Sequence, residues 1–139
     1  MIGKLILTHG TLARELLSAA RTISGELPNF EALALEWGDS FEAARAKVRA
    51  AINRLDQGEG VLVLVDMFGG TPCNVAMTFL EEGKVEIVTG VNLPMVVRLG
   101  CPGVEDGGLT ALGKWLQSKG QSSVCLASDI VQQRECAPK

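Results

Sequence analysis

His9 and Asp66 are the two side chains in this sequence whose types and settings suggest chemistry. His9 is the only histidine in the chain. It follows an apolar run, Ile2 to Thr8, and precedes Gly10-Thr11 and a helical pattern. Asp66 follows a second apolar run, Val61 to Val65, and precedes Met67-Phe68-Gly69-Gly70-Thr71-Pro72-Cys73-Asn74. An imidazole acts as a nucleophile once its other nitrogen is fixed. If Asp66 accepts Nδ1–H, Nε2 keeps its lone pair. Helix starts near Thr11 and Thr71, with Gly10 and Gly70 before them, would offer N–H groups to an anion such as a phosphoryl group. Asn92 could donate to the same group. This chemistry needs alignment and charge stabilisation more than covalent work, and no metal is expected on the chain.

Each residue also has a plainer reading. A lone histidine is as often a surface residue with ordinary hydrogen bonds. Asp66 could cap a helix, or could be the phospho-accepting aspartate of a receiver domain. That last chemistry needs further carboxylates for Mg²⁺ after the first strand, where this chain has Thr8-His9-Gly10. Gly69-Gly70 is explained by turn geometry, and no Gly-Lys-Ser/Thr follows to make a nucleotide P-loop. Cys73, in a first helical turn, could react as a thiolate with His9 as its base, but simple packing is favoured. Asn74, Thr89 and Asn92 fit turn roles equally well.

The elements that would position these residues alternate. Strands are expected at Ile2 to Thr8, Phe30 to Trp37, Val61 to Val65 and Lys84 to Val88. Helices are expected at Leu12 to Ser24, with Leu12, Leu16, Ala20 and Ile23 inward, and at Phe41 to Leu55, with Phe41, Ala44, Val48, Ile52 and Leu55 inward. Further helices are expected from Pro72, with Thr71 as N-cap, to about Glu82, from about Pro94 to Leu99, and from Thr110 to Ser118 with Gly120 as a stop. Cys101 to Gly108 reads as loop. Ser123 to Ala127 reads as a short last strand, and Gln132 to Lys139 as a polar, frayed tail. The valine-rich run at 61–65, with no polar alternation, suits a strand covered on both faces. The chain is therefore expected to form one α/β domain over residues 1–139. Its sheet would be mainly parallel and doubly wound, with helices on both faces. The strand C-termini would share one edge, where ligands bind in such folds.

Composition narrows the class. Hydrophobic residues make up 47% of the 139 positions and charged residues 21%, which favours a folded core over disorder. A net charge of −3 without a basic cluster argues against nucleic acid as partner. No apolar run is long enough to span a bilayer, and no signal-peptide pattern precedes the first strand, so a cytoplasmic protein is expected. Cys73, Cys101, Cys125 and Cys136 form no Cys-x-x-Cys pair and are expected as free thiols.

Three stretches together resemble the IIA component of the mannose-type sugar phosphotransferase system. They are Thr8-His9-Gly10 with Leu12-Ala13, the motif Asp66-x-x-Gly69-Gly70-Thr71-Pro72-x-Asn74, and Gly90-Val91-Asn92-Leu93-Pro94-Met95. The resemblance covers residues 1 to about 100. It implies a cytoplasmic phosphotransferase with a phosphohistidine at His9 and no cofactor. It also implies a phosphocarrier histidine protein as donor and a IIB component as acceptor, for sugar uptake and phosphorylation. It implies a homodimer within a membrane-associated complex, with no direct membrane insertion. In some members a C-terminal strand is exchanged between subunits, which makes 123–127 the candidate here. No fused IIB domain is expected. A regulatory member, or a phosphoryl donor to a dihydroxyacetone kinase, fits the same motifs. Outside the family, a binding module and a Cys73 thiol enzyme stay open.

Overall fold

In a computed structural model the backbone is described for residues 1–136 and the side chains through residue 132. The sheet has four strands, β1 (Gly3–His9), β2 (Phe30–Leu35), β3 (Val61–Val65) and β4 (Val85–Thr89), in the order β2-β1-β3-β4. All pairings are parallel, with Leu5 opposite both Glu31 and Val63, and Val63 opposite Ile87. Helices cover both faces, as the doubly wound reading requires. On one face, α1 (Leu12–Ser24), α4 (Leu93–Arg98) and α5 (Leu109–Ser122) pack on Ile2, Ile6, Leu62 and Leu64. On the other, α2 (Phe41–Leu55) and α3 (Thr71–Met77) pack on Leu5, Leu7, Val63 and Val65. Every residue of β3 is fully buried. Each such side chain contributes about 1.5–3 kcal/mol of transfer free energy.

Several local expectations are corrected. No strand forms at Ser123 to Ala127. Residues 124–126 are irregular, Val124 and Leu126 are exposed, and α6 (Ala127–Cys136) follows directly. A strand needs a ladder partner, and among the described residues none pairs with this segment. The first part of the supposed tail, residues 132–136, is helical, and residues 137–139 lie outside the described part. Gly120 does not stop α5 but lies within it, where a Cβ would come 2.6 Å from Met95 Sδ, so its role is close packing of α5 on α4. On α1 the inward residues are Ala13, Leu17 and Ala20, while Leu12 and Ile23 are exposed. The buried stripe runs through Ala13, Leu17 and Ala20 at helical spacing, which rotates Leu12 and Ile23 to its margins. Phe41 is likewise exposed, and Ala51 joins the buried face of α2.

Candidate functional site

The C-terminal ends of β1 and β3 carry His9 and Asp66 to one place although they are far apart in sequence. The β1–β3 register sets Leu7 opposite Val65, so Asp66 leaves its strand just short of the level of His9. His9 Nδ1 lies 2.7 Å from Asp66 Oδ2, and the same oxygen accepts the His9 backbone N–H at 3.0 Å. Asp66 Oδ1 accepts the Met67 N–H at 3.0 Å. The carboxylate is thus held through both oxygens. Partial burial pushes its pKa up, but the two hydrogen bonds from His9 and the charge attraction to the ring outweigh that, and the net shift is downward. An ionised carboxylate can only accept hydrogen bonds. The proton in the short contact therefore belongs to Nδ1, and a ring carrying only that proton presents its lone pair at Nε2. The side chain of His9 is 29% exposed and that of Asp66 is 13% exposed, so the orienting group is sheltered and the ring edge is reachable.

Glycine shapes the approach. Gly10 has φ +54°, a left-handed conformation that lets the chain leave β1 and enter α1 at once. Gly70 lies under the imidazole, where a Cβ would stand 2.7 Å from Cε1 and 3.3 Å from Nε2. No other residue type fits there without moving the ring. Gly70 is also the N-cap of α3, so Thr71 is its first helical residue rather than its cap. Thr11 precedes α1 without a side-chain capping bond. That work is done by Thr8, a residue sequence reasoning passed over. Its buried hydroxyl accepts the Ala13 N–H at 2.7 Å and donates to the His9 carbonyl at 3.1 Å. It therefore ties the start of α1 to the residue that carries the imidazole. A threonine one residue before the histidine and five before a helical N–H was the available signal.

Gly10 follows the histidine directly and Gly70 lies against its ring, with Thr11 and Thr71 next to them in the chain, whereas the side chain of Asn92 is engaged elsewhere. Its Oδ1 caps α4 by accepting the Met95 N–H at 3.1 Å, and its Nδ2 donates to the Gly120 carbonyl and the Ser123 hydroxyl on the α5 side. Cys73 is buried in the apolar layer between α3 and the sheet. Among the described residues no group of three or more His, Cys, Asp or Glu could hold a metal ion. A second residue that sequence reasoning missed is Trp37. Its indole stacks on the His9 ring with centroids 5.6 Å apart and planes 30° from parallel. The sequence pattern extends β2 to Trp37, but the strand stops at Leu35 and Trp37 stands in the turn beyond.

Residues 3–101 match the family model for the mannose-type IIA domain, described as the PTS system fructose IIA component. The chain belongs to the IIA family of the sugar phosphotransferase system. It is 37% identical over 98 residues to the mannose-specific EIIAB component of Escherichia coli strain K12. That match covers 70% of this chain and 30% of the relative, so the chain spans under a third of that protein. It is 33% identical over 100 residues to the fructose-specific EIIA component of Bacillus subtilis, covering 71% and 68% of the two chains. The solved mannose/sorbose-specific IIA subunit from Enterococcus faecalis superposes with a TM-score of 0.79 at 34% identity, covering 91% of this chain and 95% of that one. The fold of this IIA domain is thus the family fold, and the family is one of phosphotransferase components. No helix among the described residues is long and apolar enough to cross a membrane.

Proposed function

We propose that this IIA protein is a phosphoryl carrier whose His9 Nε2 takes a phosphoryl group from a phosphocarrier histidine protein and passes it to a IIB component. The observation that carries the reading is the Asp66 carboxylate on Nδ1, which keeps the proton there and leaves Nε2 as the nucleophile. Nε2 attacks phosphorus, the donor's P–N bond breaks, and the donor imidazole leaves with that electron pair. Asp66 orients the ring and is not itself phosphorylated. Backbone N–H groups at Gly10–Thr11 and Gly70–Thr71 are the expected partners of the phosphoryl oxygens. Asn92 serves the α4–α5 junction in this reading. The protein works in the cytoplasm as one domain of residues 1–139 and needs no cofactor.

We infer a homodimer as the working form. Among the described residues the outer edge of β4 is paired only at Val85, which bridges Glu81, and the rest of it, Glu86 to Thr89, lines with α5 a groove of about 520 Å³ beside the exposed Val124. An open strand edge next to exposed apolar residues favours pairing with a second copy, and the 124–126 segment is the piece available for it. Light scattering at micromolar concentration is expected to give the dimer mass, and a monomer mass would reject this assembly.

The deciding experiment for the carrier reading is incubation with radiolabelled phosphoenolpyruvate and the general carrier proteins. Wild type is expected to take label that survives base and is lost in acid, as a phosphohistidine does. His9→Ala is expected to take none. Label on His9→Ala, or an acyl-phosphate pattern removed by Asp66→Ala, would overturn the assignment.

A further inference from the structure

The least expected contact at the site is an exposed tryptophan on the histidine. Trp37 is 84% exposed, yet one face of its indole lies on the imidazole. Its position is not left to chance, because the turn that carries it is braced on both sides. The Asp39 N–H donates to the Glu36 carbonyl at 3.1 Å, and the Glu36 N–H donates to Asp39 Oδ2 at 3.3 Å. Lys47 on α2 reaches the same Asp39 oxygen at 2.7 Å, and Ser40 caps that helix by accepting the Ala43 N–H. A tight, doubly bridged turn thus holds a large aromatic ring in solvent, over the imidazole. Burial alone gives no reason for such an arrangement.

We propose that Trp37 is a positioning residue for phosphoryl acceptance at His9. It fixes the plane of the imidazole and stabilises the positive charge the ring acquires. The proposal rests on the phosphocarrier reading above. Three contacts then define the ring, with Asp66 on Nδ1, Gly70 beneath the Cε1–Nε2 edge and the indole on one face. When Nε2 forms its bond to phosphorus, Nδ1 keeps its proton, so the ring becomes cationic until the phosphoryl group leaves. The negative face of an indole attracts such a cation, as the Asp66 carboxylate does from the edge. The free imidazole gains less from the same stacking, so the contact favours the reacting state over the resting one.

The test uses phosphoramidate, a small reagent from which the phosphoryl group passes to an imidazole nitrogen as the P–N bond breaks and ammonia leaves. Trp37→Ala is expected to form phosphohistidine about two- to fivefold more slowly than wild type at saturating reagent, the size of an exposed cation–π contact. Trp37→Phe should recover most of the rate. With the protein donor, the loss should fall on the maximal rate and not on KM. The melting temperature should stay put, since so exposed a side chain contributes little to the core. In a Trp115→Phe background, Trp37 emission should change as His9 is phosphorylated. Equal phosphoramidate rates for Trp37→Ala and wild type would overturn the proposal, as would failure of phosphoramidate to label His9 in wild type. If wild type is labelled by phosphoramidate and slowed by Trp37→Ala, but no protein donor labels it, the carrier reading fails while the role of Trp37 stands.

Discussion

Strand β1 carries an ion-pairing residue toward each of its ends, and the two pairs are put to opposite uses. At the C-terminal end His9 meets Asp66. Near the N-terminal end Lys4 meets Glu105, which also accepts the Ile2 N–H. Lys4 is 2% exposed, lies near the face of Phe30, and has its ammonium on a carboxylate that is 25% exposed. This second pair clasps the 101–108 loop to the start of the sheet, and no nucleophile is left over. At His9–Asp66 the partners are one short, because Nδ1 is paired while Nε2 has no hydrogen-bond partner among the described residues. What separates the two pairs is the number of polar atoms left unpaired, which is the basis of the role proposed for His9.

The comparison can be broken most forcefully at the clasp. Glu105→Ala leaves the buried ammonium of Lys4 and the Ile2 N–H without an acceptor, and is expected to cost about 3 kcal/mol. Urea unfolding measures this directly, and a change within about 0.5 kcal/mol, the range of ordinary surface substitutions, would mean that the pair does not hold the loop. Asp66→Ala should act the other way round, with a fold that survives and a transfer rate that falls. By analogy with carboxylates that orient metal-bound histidines, the loss is expected to be about 10- to 100-fold. Phosphorylation kinetics together with a circular dichroism melt separate the two effects. Gly70→Ala should slow transfer by about tenfold, since its methyl group displaces the ring and misplacement near 1 Å can cost up to about a hundredfold. An unchanged rate would show that the ring tolerates the shift.

Acid gives the smallest effect and joins the two ends. For Asp66 and for Glu105 alike, burial raises the carboxyl pKa but is outweighed by hydrogen bonds and charge, from His9 in one case and from Lys4, Ile2 N–H and the N-terminus in the other. Both folded-state values are therefore lowered. Their stabilisation is complete above the unfolded carboxylate range of about pH 4 and is lost as pH falls through the folded values. The stability gap between wild type and Glu105→Gln should accordingly narrow from pH 7 to pH 3. A gap independent of pH would refute the linkage.

Much of this was legible in the sequence because short-range rules governed it. The valine run at 61–65, the glycine after His9 and the Gly69–Pro72 turn each announce a local geometry, and alternation of strands and helices then brings His9 and Asp66 to one edge. The features that escaped depend on partners remote in the chain. Lys4 looks like a surface lysine until Glu105, 101 residues away, is placed beside it. Trp37 looks like a strand residue until a turn ends β2 early. On α1 the small inward alanines are a weaker pattern than the larger leucine and isoleucine beside them. Ser123 to Ala127 has strand-like composition, but composition cannot supply a neighbour to pair with.

The alternation along β1 turns chain length into a measuring device. Ile2 and Ile6 serve the layer under α1 and α5, while Leu5 and Leu7 serve the layer under α2 and α3. Lys4 and His9 are an odd number of residues apart, so each pair belongs to a different side of the sheet. Removing one residue between them would put both side chains on the same side of the sheet. The imidazole would then be aimed away from Gly70 and Trp37, or the ammonium away from Glu105. Substitutions within Leu5–Leu7 that keep size should be absorbed, whereas a single-residue deletion there should leave one end of the strand without its partner.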